Sequence, residues 1–171
     1  MSMGERVRAL VEKLERGEQK SRQALGQLSP EQWQAIVYAE PHAWTLRDLL
    51  AHFVSAEAEL LALAQDVARG GTGAPEGFDF DAFNAEEKQR LAGRSNEALL
   101  AELAESRRAT LAWLRELPEE TLDRVGRHPA LGDVTLETMI LAIYGHQLLH
   151  MRDVQRIGAS LPAEGDAPRG E

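Results

Sequence analysis

Trp44-Thr45-Leu46-Arg47-Asp48-Leu49-Leu50-Ala51-His52 is the stretch from which the fold of this chain is read. Thr45 is suited to cap a helix N-terminus, and Asp48, three residues on, is the reciprocal partner of a capping box. Apolar residues then return at intervals of three and four through Leu46, Leu49, Leu50, Phe53, Leu60, Leu61 and Ala64, one stripe of a helix expected to reach about Ala68. His52 lies on the flank of that stripe, beside Leu49 and Ala56. Glu57 falls near its middle, where a buried carboxylate needs a partner.

Outward from this helix the same periodicity recurs. A first long helix is expected from about Gly4 to Leu28, built on Val7, Leu10, Val11, Leu14 and Leu25. Ser29-Pro30-Glu31-Gln32 then restarts the chain with a second capping box, opening a short helix that carries Trp33 and Ile36. Residues 79–91 form another short helix, and Ser95 caps a third long one running to Leu117. After a short turn at Pro118–Leu122, the fourth long helix begins at Thr135, with Thr138 at the reciprocal position, and ends near Gly158. The segment Arg69–Gly77 is glycine-rich, but no Gly-Lys-Ser/Thr follows, so it reads as a mobile surface loop rather than a phosphate cradle.

Leu, Ala, Glu and Arg dominate and β-branched residues are sparse, which predicts an all-α fold, a four-helix bundle with short connecting helices. The bundle domain is expected over residues 1–158, with a disordered tail over 159–171. Two echoes join the halves. Thr45-Leu46-Arg47-Asp48-Leu49-Leu50 resembles Thr135-Leu136-Glu137-Thr138-Met139-Ile140, and Leu28-Ser29-Pro30-Glu31 resembles Leu117-Pro118-Glu119-Glu120. Internal repetition and convergent capping chemistry both account for them.

The 171-residue chain has no cysteine, which excludes disulfides, thiolate ligands and a cysteine nucleophile, so any metal is held by nitrogen and oxygen. With 28 acidic against 19 basic residues the net charge is −9, and nucleic acid is repelled on average. The N-terminal residues lead straight into a charged amphipathic pattern, and nowhere do 18 uncharged apolar residues run together. A soluble, cytoplasmic protein with no membrane or nucleic-acid partner is expected.

The chemistry-bearing run is Ile143-Tyr144-Gly145-His146-Gln147-Leu148-Leu149-His150. Imidazoles at i and i+4 share a helix face and can share one ion, with His52 on a neighbouring helix as the third ligand. The alternative is half-buried histidines satisfied by ordinary hydrogen bonds. Gln147 stands where His-Glu-x-x-His has its glutamate, which argues against a zinc protease of that type. Gln147 also occupies on the fourth helix the place that Glu57 has on the second. Glu57 is the candidate catalytic residue, in an acid/base or ligand-orienting role; a structural hydrogen bond to Gln147 or Tyr144 is the other reading. Asp48 and Asp153 read more simply as a cap and a solvated charge than as residues that orient the histidines. Trp33, Trp44 and Trp113 are expected in the core, with Trp44 stapled onto Leu49 or a nearby residue. His42 and His128, in loops beside Pro41 and Pro129, are expected to be exposed, with the mouth of a pocket as the alternative. Phe83-Asn84 is a candidate to close over the site.

Trp44 to His52 followed by Glu57, then Phe83-Asn84-Ala85-Glu86, and finally His146-Gln147-Leu148-Leu149-His150, in that order and spacing, resemble the DinB/YfiT-like metalloenzyme superfamily across nearly the whole chain. The resemblance implies a four-helix bundle, commonly a homodimer, that binds a divalent ion such as zinc or nickel through three histidines, here His52, His146 and His150. It further implies a thiol-dependent transferase or isomerase acting on electrophilic small molecules, with mycothiol or bacillithiol as low-molecular-weight cosubstrate and the metal lowering the pKa of that thiol. A hydrolase using the same open ion, and a non-enzymatic resistance protein that sequesters a small molecule, remain the alternatives.

Overall fold

Thr45 and Asp48 close the capping box that their spacing predicts: the Thr45 hydroxyl accepts the Asp48 N–H at 3.1 Å, and Asp48 accepts the Thr45 N–H at 3.0 Å. The computed structural model describes residues 3–39 and 43–160. The long helices are α1 (Glu5–Gly26), α3 (Leu46–Ala68), α5 (Asn96–Arg115) and α6 (Leu136–Ser160); α2 (Pro30–Trp33) and α4 (Phe80–Arg90) are short. Both α3 and α1 pack against α5 and α6, so the four close into a bundle with α3 and α1 on one diagonal. Among the described residues no helix is long and apolar enough to cross a membrane.

Two antiparallel hairpins interrupt the helical pattern. Strand β1 (Ile36–Tyr38) pairs with β2 (Trp44–Thr45), and β3 (Val125–His128) pairs with β4 (Gly132–Thr135). The short helix expected to carry Ile36 stops at Trp33, and Ile36 is an exposed strand residue. Each hairpin leads directly into a long helix. The Leu46 N–H bonds the Ala35 carbonyl at 3.0 Å, and the Leu136 N–H bonds the Arg124 carbonyl at 2.7 Å. A long helix, a short turn, a hairpin and a second long helix thus occur twice, which favours repetition over convergent capping as the source of the sequence echo. At the second copy the Thr135 and Thr138 hydroxyls bond each other at 3.0 Å, and Thr135 also accepts the Thr138 N–H.

The glycine-rich connection is tied down rather than mobile. The Asp66 carboxylate accepts the Gly73 N–H at 3.0 Å, the Arg127 N–H bonds the Thr72 carbonyl, and the Ala74 N–H bonds the Arg127 carbonyl, both at 2.8 Å. Gly73 has φ +78° and lies so close to β3 that a Cβ would sit 2.5 Å from the Arg127 carbonyl oxygen, so no other residue fits without displacing the hairpin. This connection braces β3 against the end of α3.

The core is in two parts with a buried polar network between them. One part gathers Leu14, Ala64, Val67, Leu114, Leu136 and Ile140; the other gathers Trp33, Leu49, Leu50, Phe53, Leu99 and Val154. Between them Arg107 donates to Glu57 through Nε at 2.6 Å and Nη2 at 2.7 Å. Its third nitrogen, Nη1, donates to the Leu14 carbonyl at 3.1 Å. Glu57 also accepts the Thr110 hydroxyl at 3.1 Å and the Gln147 amide at 3.1 Å. Two bonds to each carboxylate oxygen use its full accepting capacity, and all four long helices contribute a group. The anticipated Glu57–Gln147 contact is present; Arg107, the stronger partner, was not anticipated.

With Glu57 and Arg107 each only 2 % exposed, removing one partner leaves a buried charge uncompensated. Arg107→Met is expected to cost about 3–5 kcal/mol in urea unfolding. The double variant Glu57→Met/Arg107→Met is expected to recover more than half of that. A single-variant cost near zero would contradict the network.

Candidate metal centre

The capped start of α3 fixes the azimuth of His52, and α6 carries His146 and His150 one turn apart on the face that meets it. The three offer ligand nitrogens that all lie within 4.8 Å of one another. His52 Nε2 and His146 Nε2 are hydrogen-bonded at 2.8 Å, so one imidazole donates and the other accepts. The His150 ring lies 4.9 Å from His146 and 5.6 Å from His52, centroid to centroid. The spacing argument for a shared site is therefore met in three dimensions.

Second contacts orient the rings. The Tyr38 hydroxyl of β1 donates to Asp153 at 2.7 Å, and its oxygen lies 2.7 Å from His150 Nδ1. With its own proton committed to Asp153, the phenol oxygen accepts from Nδ1–H and leaves Nε2 of His150 as the free nitrogen. Asp153 thus reaches a site histidine through Tyr38 instead of being a merely solvated charge. Trp44 packs edge-on to His52 at 5.4 Å between centroids and carries the Lys88 ammonium over its ring at 5.5 Å. It lines the cavity described next rather than the core, while Trp33 is buried as expected. Asp48 adds an ion pair to Lys88 at 3.1 Å to its capping role, pinning α4 beside the site.

The environment keeps the imidazoles neutral. Burial, followed by the proximity of His150, holds His52 at about 4, partly offset by Asn84. Burial, followed by His52, His150 and His128, holds His146 at about 3. Burial also lowers His150 and His128, with Asp153 opposing the effect at His150. Three largely buried imidazoles whose ligand nitrogens lie within 4.8 Å of one another, with no thiolate, form a nitrogen donor set suited to zinc, nickel or a similar divalent ion.

The cluster borders a cavity of about 770 Å³ with mainly apolar walls. Trp44, Leu60, Phe78, Phe80 and Phe83 form much of them, and Asn84 lines the cavity beside Phe83. From α3 the cavity receives His52, Ala56, Glu59 and Leu60. Glu57 is about 140° around the helix from His52 at 100° per residue, and it faces Arg107 instead. Its oxygens are fully engaged away from the cavity. Glu59, which was passed over in the sequence, is the carboxylate that lines it; its i+7 spacing from His52 was the available signal. His128 is not an exposed loop residue: it is buried in the cavity wall. His42 lies outside the described residues, as do residues 161–171 of the expected tail.

A family profile described as the DinB superfamily matches residues 13–154. The chain belongs to the DinB superfamily. Among solved structures it is similar to YfiT from Bacillus subtilis, described as a probable metal-dependent hydrolase with an unusual four-helix-bundle topology; the TM-score is 0.71 at 19% identity, over 93% of this chain and 90% of YfiT. A mycothiol-dependent maleylpyruvate isomerase gives 0.72 at 17% identity, over 86% of this chain and 60% of its own. ClbS, a colibactin self-resistance protein solved in complex with a double-stranded DNA, gives 0.70 at 15% identity, over 92% of this chain and 97% of its own. At these identities the likeness shows the fold, the DinB/YfiT-like bundle expected from the sequence. By sequence, no curated protein matches the chain.

The histidine shifts fix the sign of a pH effect. In the unfolded chain these groups titrate near 6.5, whereas in the folded chain His52 and His146 resist protonation down to about 4 and about 3. Between those limits the unfolded state binds more protons, so the stability of metal-free protein falls as pH drops from about 6.5. Urea midpoints of chelator-treated protein are expected to be lower at pH 5 than at pH 7, with a smaller difference in His146→Ala. Equal midpoints in the wild type would contradict the assignment.

Proposed function

We propose that this protein is a divalent-metal-dependent enzyme, with His52, His146 and His150 holding zinc or nickel, that transfers a low-molecular-weight thiol to an electrophilic small molecule. The observation that carries the reading is the convergence of three neutral imidazoles on one point at the edge of a large apolar cavity. A bound divalent ion supplies Lewis acidity that lowers the pKa of a thiol and makes thiolate available near neutral pH.

The chain's own residues do the rest. Tyr38 and Asp153 hold His150 with Nε2 free, and the aromatic walls exclude water and take up the apolar part of a substrate. Glu59 is the carboxylate placed to exchange a proton with a group in the cavity, in the role first considered for Glu57. The volume of about 770 Å³ has room for a thiol and a small electrophile together. The mycothiol dependence of one structural neighbour supports a thiol cosubstrate. A hydrolase on the same histidines is the second reading, supported by the description of YfiT. The partner in either case is a small molecule; the net charge of −9 works against binding a phosphate backbone.

Protein purified without a histidine tag and offered zinc or nickel is expected to retain close to one ion per chain by elemental analysis, and His146→Ala and His150→Ala to retain little. Loaded protein incubated with an electrophile and a panel of thiols is expected to give the S-conjugate by mass spectrometry. A thiol-independent product carrying oxygen from labelled water would replace the transferase reading with the hydrolase. Absence of a retained ion would overturn both.

A further inference from the structure

Glu59 is the single charged side chain among the described residues that line the cavity; no lysine or arginine joins it. The ammonium that lies over the Trp44 ring, that of Lys88, is already taken by Asp48 at 3.1 Å. Glu59 follows His52 by two turns of α3, roughly 10 Å along the axis and about 20° around it. It makes no hydrogen bond or ion pair to another described residue, and its oxygens are not among the buried unpaired atoms, so they are accessible. Helical side chains lean toward the helix N-terminus, which carries this carboxylate back over the small side chain of Ala56 in the same wall. Lys88 meets Asp48 and, one turn earlier, Asn84 stands beside His52, so α4 runs antiparallel to α3. A further turn back Phe80 comes level with Ala56, and Phe78, just before the helix, with the turn that bears Glu59. The Phe78 ring packs on that of Phe83 at 5.7 Å between centroids, and Phe80 is 48 % exposed although it lines the cavity.

We propose that Glu59 is the anchor for a cationic substrate, an ammonium group borne on an apolar body, with the cation held between the carboxylate and the Phe78 and Phe80 rings and the reacting end roughly 10 Å away at the histidine cluster. The inference rests on this cavity being the reaction site proposed above, and it names the class of electrophile that enters it. An N–H of that ammonium is the group Glu59 meets in the cavity. In mainly apolar surroundings the attraction of carboxylate for ammonium is stronger than in water, and the aromatic faces add to it. A substrate bearing a carboxylate meets the opposite field at this end, with no lysine or arginine in the wall to offset Glu59. The net charge of −9 acts in the same direction, drawing cations toward the chain and repelling anions.

The test uses 2-(2-naphthyl)ethylammonium, 2-(2-naphthyl)ethanol and 2-naphthylacetate, which share a ring and differ in charge. Calorimetric titration of metal-free protein at neutral pH keeps the amine and the carboxylate from coordinating an ion. Wild type is expected to bind the ammonium about tenfold more tightly than the alcohol, and the acetate least of the three. Glu59→Gln keeps the size of the side chain and removes its charge; in it the ammonium and the alcohol are expected to bind alike, with the affinity for the alcohol unchanged. Phe80→Leu is expected to weaken the ammonium more than the alcohol, and an equal loss of both would overturn the aromatic contribution. Equal binding of the two by wild type, a preference that survives Glu59→Gln, or failure of the ammonium to bind wild type would overturn the proposal. Protein that retains zinc without preferring the ammonium would overturn this inference and leave the metal reading standing; protein that prefers the ammonium and retains no zinc would do the reverse.

Discussion

The Glu57–Arg107 ion pair, completed by Thr110, Gln147 and the Leu14 carbonyl, is the interaction on which the arrangement of this bundle depends. Apolar contacts between helices tolerate small slips, because one leucine surface resembles another. A bidentate pair removed from water does not, since its attraction offsets desolvation only when the hydrogen bonds are made in full. Gln147 reaches Glu57 in a single register of α6 against α3. That register places the preceding residue, His146, within hydrogen-bonding distance of His52. The polar layer in the core thereby sets the position of the histidine cluster without touching the cavity.

Helix α3 has two functional faces. The face bearing Glu57 locks the bundle, and the face bearing His52, Ala56, Glu59 and Leu60 opens onto the cavity. The hairpins complete what the helices begin. Tyr38 of the first orients His150, and His128 of the second is buried in the wall of the same cavity. The two halves of the repeat thus deliver equivalent elements to one site, but with different side chains.

The parts legible in the sequence were those with local or periodic signatures. The Thr45–Asp48 capping box, the apolar stripes and the i, i+4 histidines each lie within a few residues, so spacing alone places them. The hairpins were missed because strands of two to four residues carry no measurable alternation. Arg107 was hidden among charged neighbours in Glu105-Ser106-Arg107-Arg108, although its position between Leu103 and Leu111 put it on the buried stripe. Tyr38 and His128 were beyond reach for another reason. The partner of Tyr38 lies 112 residues away, and the burial of His128 depends on a hairpin that the sequence did not reveal. The burial of Glu57 was legible from its place on the apolar stripe, but the choice between a catalytic carboxylate and one bonded to Gln147 or Tyr144 was open until Arg107 and Gln147 were in place around it.

The central claim is that three imidazoles, one from α3 and two from α6, bind a single divalent ion. X-ray absorption spectroscopy of zinc-loaded protein tests it most directly, since imidazole rings give a distinctive outer-shell scattering pattern. The account predicts three imidazole nitrogens at about 2.0–2.1 Å, falling to two in His52→Ala with the remaining positions filled by donors that lack imidazole outer-shell scattering. A wild-type first shell with fewer than three imidazoles, or a spectrum unaltered by His52→Ala, would contradict it.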